Sequence, residues 1–228
     1  MNEKSIFPKR LYFRKFLNTF FPKILFRLSP KRFWAQRHWR SQEMGDIHGF
    51  DKYLVPHPRV PIIINEINSR ILHDNSILDL GCNCGYYLSL LKKEGFQDLS
   101  GIDISPAAIR YGKENLDLSG VELIMGSFEE VLPKITADKK QFDLVYTLGA
   151  TIELVHPSFD IVQHMCRVSK RFVVLIIYES AHSYPRVWEY EFNRNGFLLV
   201  KCLRPYNGEI DKKNPLDIDS LLVFEKIP

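Results

Sequence analysis

The chain has 228 residues, 45% of them hydrophobic and 25% charged, proportions that are typical of a folded globular protein and exclude a disordered chain. This length suits one domain of ordinary size plus an extension, and it excludes a fold that needs disulfide staples. The net charge of +4 hides an asymmetry: residues 1–40 contain eleven Lys and Arg and one acid (net +10), so the rest carries 20 basic and 26 acidic residues (net −6). The sequence therefore predicts a basic arm on a mildly acidic body.

The arm combines its cations with hydrophobic residues. Between residues 11 and 28, Phe, Tyr, Leu and Ile alternate with four Lys and Arg residues. That many cations argue against a spanning helix, no signal-peptide cleavage site follows, and Pro22 is expected to divide the arm into two short helices. The pattern predicts either an interfacial helix on an anionic membrane or a helix packed on the domain or a partner. Nucleic acid is a weaker match, since the apolar residues resemble a burying face more than a stacking surface.

The folded domain is predicted to begin at residue 59. Residues 1–58 contain the arm and then a polar, aromatic stretch, whereas residues 59–75 carry Ile and Leu at helical spacing. The chain therefore divides into a basic amphipathic extension of residues 1–58 and a domain of residues 59–228. Its first helix is expected to cover one face of a sheet.

Residues 77–85 (ILDLGCNCG) predict a buried strand that runs into a glycine-bounded turn, and residues 86–94 then switch to helical spacing. The turn requires Gly81, because a residue without Cβ lets a ligand approach the backbone, and Asn83 is among the few other residues that tolerate a positive φ. These features predict an amide-lined helix N-terminus with one acid, Asp79, at its edge.

Residues 98–103 predict a second short strand that ends in an acid, Asp103. Ser105 and Pro106 follow as the N-cap and first residue of a helix. In doubly wound sheets, an acid about 20 residues beyond the glycines accepts hydrogen bonds from ribose hydroxyls. The two segments together therefore predict a nucleoside pocket.

Strands and helices continue to alternate along the rest of the chain. Helices are predicted at 105–118, 157–170 and 184–195, and strands at 121–125, 141–148, 171–178, 197–203 and 216–225. The unbroken apolar run at 171–178 is typical of a strand covered on both faces. This alternation, with two final strands that have no helix between them, predicts a mostly parallel sheet with a different ending from that of a dehydrogenase.

Several of these segments resemble motifs of the class I S-adenosylmethionine-dependent methyltransferases. Residues 79–85 (DLGCNCG) are similar to the first motif of that family, and Asp103 matches the acid placed on the ribose. Residues 126–128 (GSF) resemble the segment beside the adenine. Residues 142–149 and 152–154 resemble the fourth strand and its loop. The resemblance runs from residue 77 to the C-terminus.

The resemblance implies a fold, a cofactor and cofactor-binding residues. The implied fold is α/β, a Rossmann-like, doubly wound sheet of seven strands, mostly parallel with a C-terminal antiparallel strand, and the implied cofactor is S-adenosyl-L-methionine, which leaves as S-adenosyl-L-homocysteine. The residues implied to bind it are Asp79, Gly81, Cys82, Asn83, Gly85, Asp103, Ile104, Ser127, Phe128, Thr147 and Leu148. The sequence departs from the family at the middle glycine, which is Asn83, and after strand four, where a Glu-His pair reads Glu153-Leu154 with His156 two positions later.

A general base is expected if the acceptor is a hydroxyl, because that group must lose a proton. His156 is the first candidate, since it follows the fourth strand on the substrate side, and the alternatives are Glu153, Tyr178 and Glu179. A structural role also stays open, in which His156 and Pro157 cap the next helix.

Many members of the resembled family carry a lid over the substrate ahead of the sheet. By that resemblance, and with one residue at the end of the fifth strand added, the substrate-binding candidates are Trp34, His38, Trp39, Tyr53, His57 and Glu179. Each of these aromatic residues also has a purely structural interpretation, because a Trp at helical spacing packs more often than it recognises a ligand.

The predicted acceptor is small or lipid-linked, such as a sugar hydroxyl of an envelope glycan, which would place the protein in the cytoplasm and, through its arm, on the inner face of the membrane. Residues 147–150 lack the Asp/Asn-Pro-Pro-aromatic run of exocyclic-amine methylases, which argues against adenine N6. Three alternatives stay open: an RNA methyltransferase that uses the arm, a non-catalytic nucleoside-binding module, and an NAD-dependent reductase, although Gly-x-Gly-x-x-Gly and Tyr-x-x-x-Lys are absent. No metal site is predicted, because Cys82 and Cys84, two apart on a turn, rarely converge on one ion.

Overall fold

The computed structural model of the chain describes residues 31–46, 48–55, 57–149, 151–178, 186–205 and 219–228, without the side chains of residues 31–35, Tyr178 and Asp219. The basic arm of residues 1–30, with its two predicted helices, lies outside the described residues. So do Glu179 and the first residues of the helix predicted at 184–195 and of the strand predicted at 216–225. Within the described ranges, no helix is both long and apolar enough to cross a membrane.

Helices and strands alternate from residue 59 onward, as predicted. The helices are α1 (Lys31–Arg40), α2 (Arg59–Asn68), α3 (Tyr86–Lys93), α4 (Pro106–Asn115), α5 (Phe128–Ala137), α6 (Ile161–Val168) and α7 (Trp188–Asn193), with short 3₁₀ turns at Phe50–Tyr53 and Ile152–Leu154. The strands are β1 (Ser76–Leu80), β2 (Asp98–Asp103), β3 (Glu122–Met125), β4 (Phe142–Leu148), β5 (Ser169–Tyr178), β6 (Phe197–Leu203) and β7 (Asp219–Lys226).

The strands form one seven-stranded sheet in the order β3-β2-β1-β4-β5-β7-β6. The pairs from β3 to β5 are parallel, and β7 runs antiparallel between β5 and β6. This sheet confirms the predicted Rossmann-like, doubly wound class with a C-terminal antiparallel strand. The strand order reverses between β1 and β4, and in open α/β sheets the crevice at such a switch point is where ligands bind.

Helices cover both faces of the sheet. On one face, residues such as Leu78 and Val145 form a hydrophobic cluster with α5, α6 and α7. On the other face, residues such as Ile77 and Tyr146 form a second cluster with α2, α3 and α4. Because both faces are covered, every residue of β1 is buried, including the acid Asp79. Burial of a carboxyl is unfavourable by itself, and the neighbours of Asp79 in the site account for it.

The structure differs locally from the predicted elements. The helix predicted at 157–170 begins at Ile161 with Asp160 as its N-cap, so His156 and Pro157 do not cap it. The helix predicted at 59–75 ends at Asn68, where the Ser69 hydroxyl donates to the Glu66 carbonyl at 2.9 Å. Helix α5 was not predicted, although Ser127 and the glutamate three residues later form a capping box at its start. Pro133 lies inside this helix, and an interior proline is a signal against a helix.

Candidate functional site

The turn after β1 has the backbone that the sequence predicted. Gly81 has a φ of +82° and Asn83 a φ of +53°, both in the left-handed region. A Cβ at Gly81 would collide with the side chain of Thr151, so this position needs a glycine for space as well as for conformation. The amides of Gly81 and Cys82 both donate to the Ile102 carbonyl, at 2.9 and 3.0 Å, which fastens the turn to β2.

Asp103 joins this turn to the start of α4. Its two carboxylate oxygens accept hydrogen bonds from the Asn83 and Ser105 amides, each at 2.8 Å. Burial raises the pKa of Asp103, and the bonds from the Ser105, Asn83 and Ile104 amides oppose that rise. The carboxylate is therefore held in one orientation at the carboxyl end of β2, where its remaining lone pairs can accept hydrogen bonds from a ligand.

Asp79 lies at the end of the neighbouring strand, with only 2% of its surface exposed. The Tyr146 hydroxyl donates to it at 2.8 Å. Burial raises the pKa of Asp79 to about 8, the bond from Tyr146 opposes this rise, and the charge of Asp103 adds to it. With this pKa the carboxyl is mostly protonated at neutral pH, and a cation brought by a ligand would favour its ionised form.

Both carboxyl groups line one cavity of about 680 Å³ at the carboxyl edge of the sheet. This volume is in the range of small-molecule sites. The loops after β1, β2, β3 and β4 form its floor, and residues from the stretch 36–59 form the opposite wall. The cavity therefore lies at the switch point and is closed partly by the segment that precedes the domain.

The structure brings most of the predicted cofactor residues together around this cavity. Those that line it are Asp79, Gly81, Cys82, Asn83, Asp103, Ile104, Ser127, Phe128 and Leu148. Gly85 and Thr147 do not line it. Gly85 is the N-cap of α3 with a φ of +80°, and the fully buried Thr147 hydroxyl donates to the Leu80 carbonyl at 2.8 Å. Both therefore shape the backbone around the cavity.

The predicted catalytic residues are placed differently from one another. His156 lines the cavity, and its Nδ1 accepts a hydrogen bond from the Ser158 amide at 3.1 Å. Because an amide can only donate, the neutral ring carries its proton on Nε2 in this geometry. Glu153 is fully buried outside the cavity lining, and it accepts from the Thr151 amide at 2.9 Å. The side chain of Tyr178 lies outside the described residues.

The predicted substrate residues also divide into groups. Tyr53, His57 and Trp39 line the cavity. His57 accepts from the Arg59 amide at 3.2 Å, and burial together with the Arg59 charge lowers its pKa. His38 is exposed and packs its ring edge-on against Trp39, with the ring centroids 5.3 Å apart, rather than lining the cavity. The side chain of Trp34, like Glu179, lies outside the described residues.

Several residues that line the cavity were not predicted from the sequence, and Arg59 and Tyr87 are two of them. Arg59 begins α2, which the periodicity marked only as a helix that covers the sheet. Tyr87 lies in the first turn of α3, where its spacing is that of a packing residue. No motif marked either position, because their place in the site depends on how the segment before β1 folds over the turn.

A comparison with protein families identifies the fold that carries this cavity. The model of a methyltransferase domain family matches residues 72–212, which include the turn, both carboxyl groups and the loop after β4. The chain belongs to this methyltransferase family. The resemblance to class I S-adenosylmethionine-dependent methyltransferases is thereby confirmed, and with it the expected enzyme class and cofactor.

Among curated proteins, this methyltransferase chain is similar to ribosomal protein L11 methyltransferases. It is 28% identical over 123 residues to the Escherichia coli O8 protein, a match that spans 50% of this chain and 40% of that protein. It is 30% identical over 89 residues to the Laribacter hongkongensis protein, a match that spans 39% of this chain and 28% of that protein. The chain thus spans well under half the length of these relatives.

Solved structures share the fold at low sequence identity. Magnesium protoporphyrin IX methyltransferase from Synechocystis PCC 6803, with bound S-adenosylmethionine, matches with a TM-score of 0.57 at 12% identity and covers 99% of this chain and 100% of that chain. A TehB-like S-adenosylmethionine-dependent methyltransferase from Corynebacterium glutamicum matches with a TM-score of 0.57 at 16% identity, over 87% and 98% of the two chains. At these identities the likeness concerns the fold.

Proposed function

We propose that this protein is an S-adenosylmethionine-dependent methyltransferase that methylates an oxygen of a small or lipid-linked acceptor. The best support for the proposed cofactor is the hydrogen bond between the Asp103 carboxylate and the turn after β1. A carboxylate held beside a stretch of backbone without side chains suits the ribose hydroxyls of an adenosyl group. Asp79, which lines the same cavity, is proposed to bind the amino group of the cofactor's methionyl end. The similarity to the L11 methyltransferases covers only part of this chain, so it supports the cofactor-binding region and does not extend to their acceptor.

In the proposed complex, the residues of the cavity mainly bind and orient. The Asp103 carboxylate accepts from the ribose hydroxyls, Ser127 and Phe128 border the adenine, and Asp79 receives the ammonium. When bound, the cofactor supplies a methyl group on a sulfonium, which is transferred in line as the sulfur keeps the electron pair of the broken bond. Alignment of this kind is worth effective molarities of about 10⁵ M or more.

The acceptor is proposed to lie against the wall formed by residues 36–59, where Tyr53 and His57 meet the cavity. His156 remains the first candidate for the base. While its Nδ1 accepts from the Ser158 amide, Nε2 is the ring nitrogen that carries a proton, so a role as base requires that the ring give up the hydrogen bond with Ser158. Glu153 and Tyr178 remain alternatives, and Trp34, His38 and Glu179 remain candidates for acceptor contact.

Methyl transfer itself tests this proposal. The full-length protein is incubated with methyl-labelled S-adenosylmethionine and either a lipid extract or a water-soluble metabolite extract, and label is counted in the product fractions. Label in a product of either extract that mass spectrometry or NMR identifies as a methyl ether supports O-methylation of a hydroxyl. Label only in added RNA or protein would contradict the proposed acceptor class.

The membrane half of the proposal concerns the arm of residues 1–30 and a cytoplasmic protein bound to the inner face of the membrane. It rests on the amphipathic, basic sequence of the arm. The full-length protein and a variant lacking residues 1–30 are floated with vesicles of anionic lipid. We expect only the full-length protein to float and its binding to weaken with salt, and equal behaviour of the two proteins would refute a membrane role.

A further inference from the structure

Arg186 is a buried arginine that uses only part of its hydrogen-bonding capacity. It lies two residues before helix α7, and its side chain is 8% exposed. Its Nη1 donates to the Glu191 carboxylate at 2.8 Å, and its Cζ lies 5.9 Å from the centre of the Trp188 ring. Its Nε and Nη2 are buried and have no hydrogen-bond partner among the described residues. Because native proteins pair nearly all buried polar groups, these two atoms indicate a partner from outside these residues.

The two unpaired atoms form one edge of the guanidinium plane. Their N–H bonds point the same way, side by side, which is the arrangement that binds two oxygens of a carboxylate or a phosphate. The groups that hold the guanidinium are themselves buried, since Glu191 is 18% exposed and Trp188 2%. An arginine also stays charged at every physiological pH. The matching ligand is therefore an anionic group with two adjacent oxygens.

Arg186 lies at the same edge of the sheet as the cavity. The register across the sheet connects Leu148, which lines the cavity, to Leu203 at the end of β6, through one residue each of β5 and β7. Directly after Leu203, the Arg204 guanidinium contacts the Glu189 carboxylate at 3.1 Å. The first turn of α7, and Arg186 just before it, are therefore at the carboxyl edge of the sheet.

The separation from the cavity sets the length of the ligand. Arg186 does not line the cavity, but Val155 does, and it belongs to the same hydrophobic cluster as Trp188. Neighbouring strands are about 4.8 Å apart, so three such spacings separate β4 from β6 by roughly 14 Å. An anionic group at Arg186 would thus lie on the order of 10 Å from an atom methylated at the end of β4.

We propose that Arg186 binds an anionic group, a carboxylate or a phosphate, of an extended acceptor whose hydroxyl is methylated in the cavity. Nε and Nη2 donate in parallel to two oxygens of that group, while Nη1 keeps its bond to Glu191. Arg186 is then a binding residue for the acceptor and takes no part in proton or methyl transfer. This inference rests on the proposed function, and it narrows the acceptor to an anionic molecule that is long enough to reach both places.

Anion binding is tested with the ¹⁵N-labelled full-length protein. Inorganic phosphate or acetate is titrated at constant ionic strength while NMR follows the Nε–H resonance of Arg186, which is assigned by its loss in Arg186→Gln. We expect a saturable shift, and the anion that binds more tightly identifies the group. Glu191→Gln removes the competing negative charge and should strengthen anion binding about tenfold or more. The absence of a saturable shift would overturn the proposal, as would an unchanged affinity in Glu191→Gln.

Methyl transfer tests the link to the acceptor. With labelled S-adenosylmethionine and the two extracts, we expect the labelled product to be retained by an anion-exchange resin. Arg186→Gln should lower kcat/KM for the acceptor about 10- to 100-fold, the worth of a charged hydrogen bond, and leave the affinity for S-adenosylhomocysteine unchanged. Arg186→Lys keeps the charge beside Glu191 without the parallel donors, and it should show a smaller loss.

A matched control removes a guanidinium from the other end of α7. Arg194 contacts Asp160 at 2.7 Å, and Arg194→Gln should change neither kcat/KM nor the affinity for S-adenosylhomocysteine. A neutral labelled product, or equal kcat/KM for Arg186→Gln and wild type, would overturn the proposal and leave the proposed function intact. An equal loss of S-adenosylhomocysteine binding in Arg186→Gln would indicate a structural role and would also overturn it. If wild type labelled nothing in either extract, the proposed function itself would fail.

Discussion

Replacement of Asp79 by Asn is predicted to stabilise the empty protein while weakening its binding of cofactor. Burial holds the folded pKa of Asp79 at about 8, against an ordinary value of 3.8. Between these values the folded state keeps a proton that the unfolded state has released, so the free energy of unfolding falls as pH rises, by up to about 1.4 kcal/mol per pH unit. From pH 4 to 7 this amounts to about 4 kcal/mol at most.

The substitution removes this penalty, because an amide does not ionise and its oxygen can still accept from the Tyr146 hydroxyl. Urea unfolding at several pH values between 5 and 8 measures the effect. We expect the stability of Asp79→Asn relative to wild type to increase steadily with pH over this range. A difference in stability that stayed constant with pH would show that Asp79 does not have a raised pKa and would refute this prediction.

The same group predicts how ligand affinity depends on pH. An ammonium beside Asp79 favours the ionised carboxyl, so binding of S-adenosylhomocysteine should release a proton and strengthen as pH rises from 6 towards 8. This increase in affinity with pH should be absent when Asp79→Asn binds S-adenosylhomocysteine. It should also be absent when wild type binds 5′-methylthioadenosine, which has no amino acid end. Calorimetry in buffers of different ionisation enthalpy counts the protons, and the absence of proton release in wild type would contradict the assignment.

Two further predictions concern the scaffold. Glu66 is 4% exposed and contacts both Arg70 and Lys201, so Glu66→Ala should lower the free energy of unfolding by about 2 kcal/mol, less than for a fully buried pair since Lys201 is 40% exposed. Urea unfolding checks this, and an unchanged midpoint would contradict it. Ser127→Ala removes half of the capping box with Glu130 and should cost about 1 kcal/mol. Ser127→Asp, which can still cap, should restore most of that loss.

The fold could be predicted because its signals are local. The strand at 77–80, the positive φ of Gly81 and Asn83, and the placement of Asp103 after a second strand all follow from residue type and spacing. Hydrophobic runs marked the remaining strands for the same reason. Helix α5 was not predicted, although Ser127 and Glu130 form a capping box at its start, and its interior Pro133 is a local signal against a helix.

The contacts that tune the site could not be predicted from sequence. The bond between Tyr146 and Asp79 joins residues 67 positions apart, and it exists because neighbouring strands β1 and β4 align them on one face. The place of Arg59 depends on how the segment before β1 covers the turn. The tautomer of His156 is set by an amide two residues later, a detail of loop geometry that spacing does not encode.

We propose that the turn after β1 and the carboxylate of Asp103 bind an adenosyl group. Titration of S-adenosylhomocysteine and of NADH into wild type and Asp103→Asn tests it most directly, with thermal unfolding of the unliganded variant as a control for folding. We predict that wild type binds S-adenosylhomocysteine at one site and does not bind NADH, and that Asp103→Asn binds it about 10- to 100-fold more weakly. Equal affinity of the two proteins for S-adenosylhomocysteine, or tighter binding of NADH by wild type, would contradict the account.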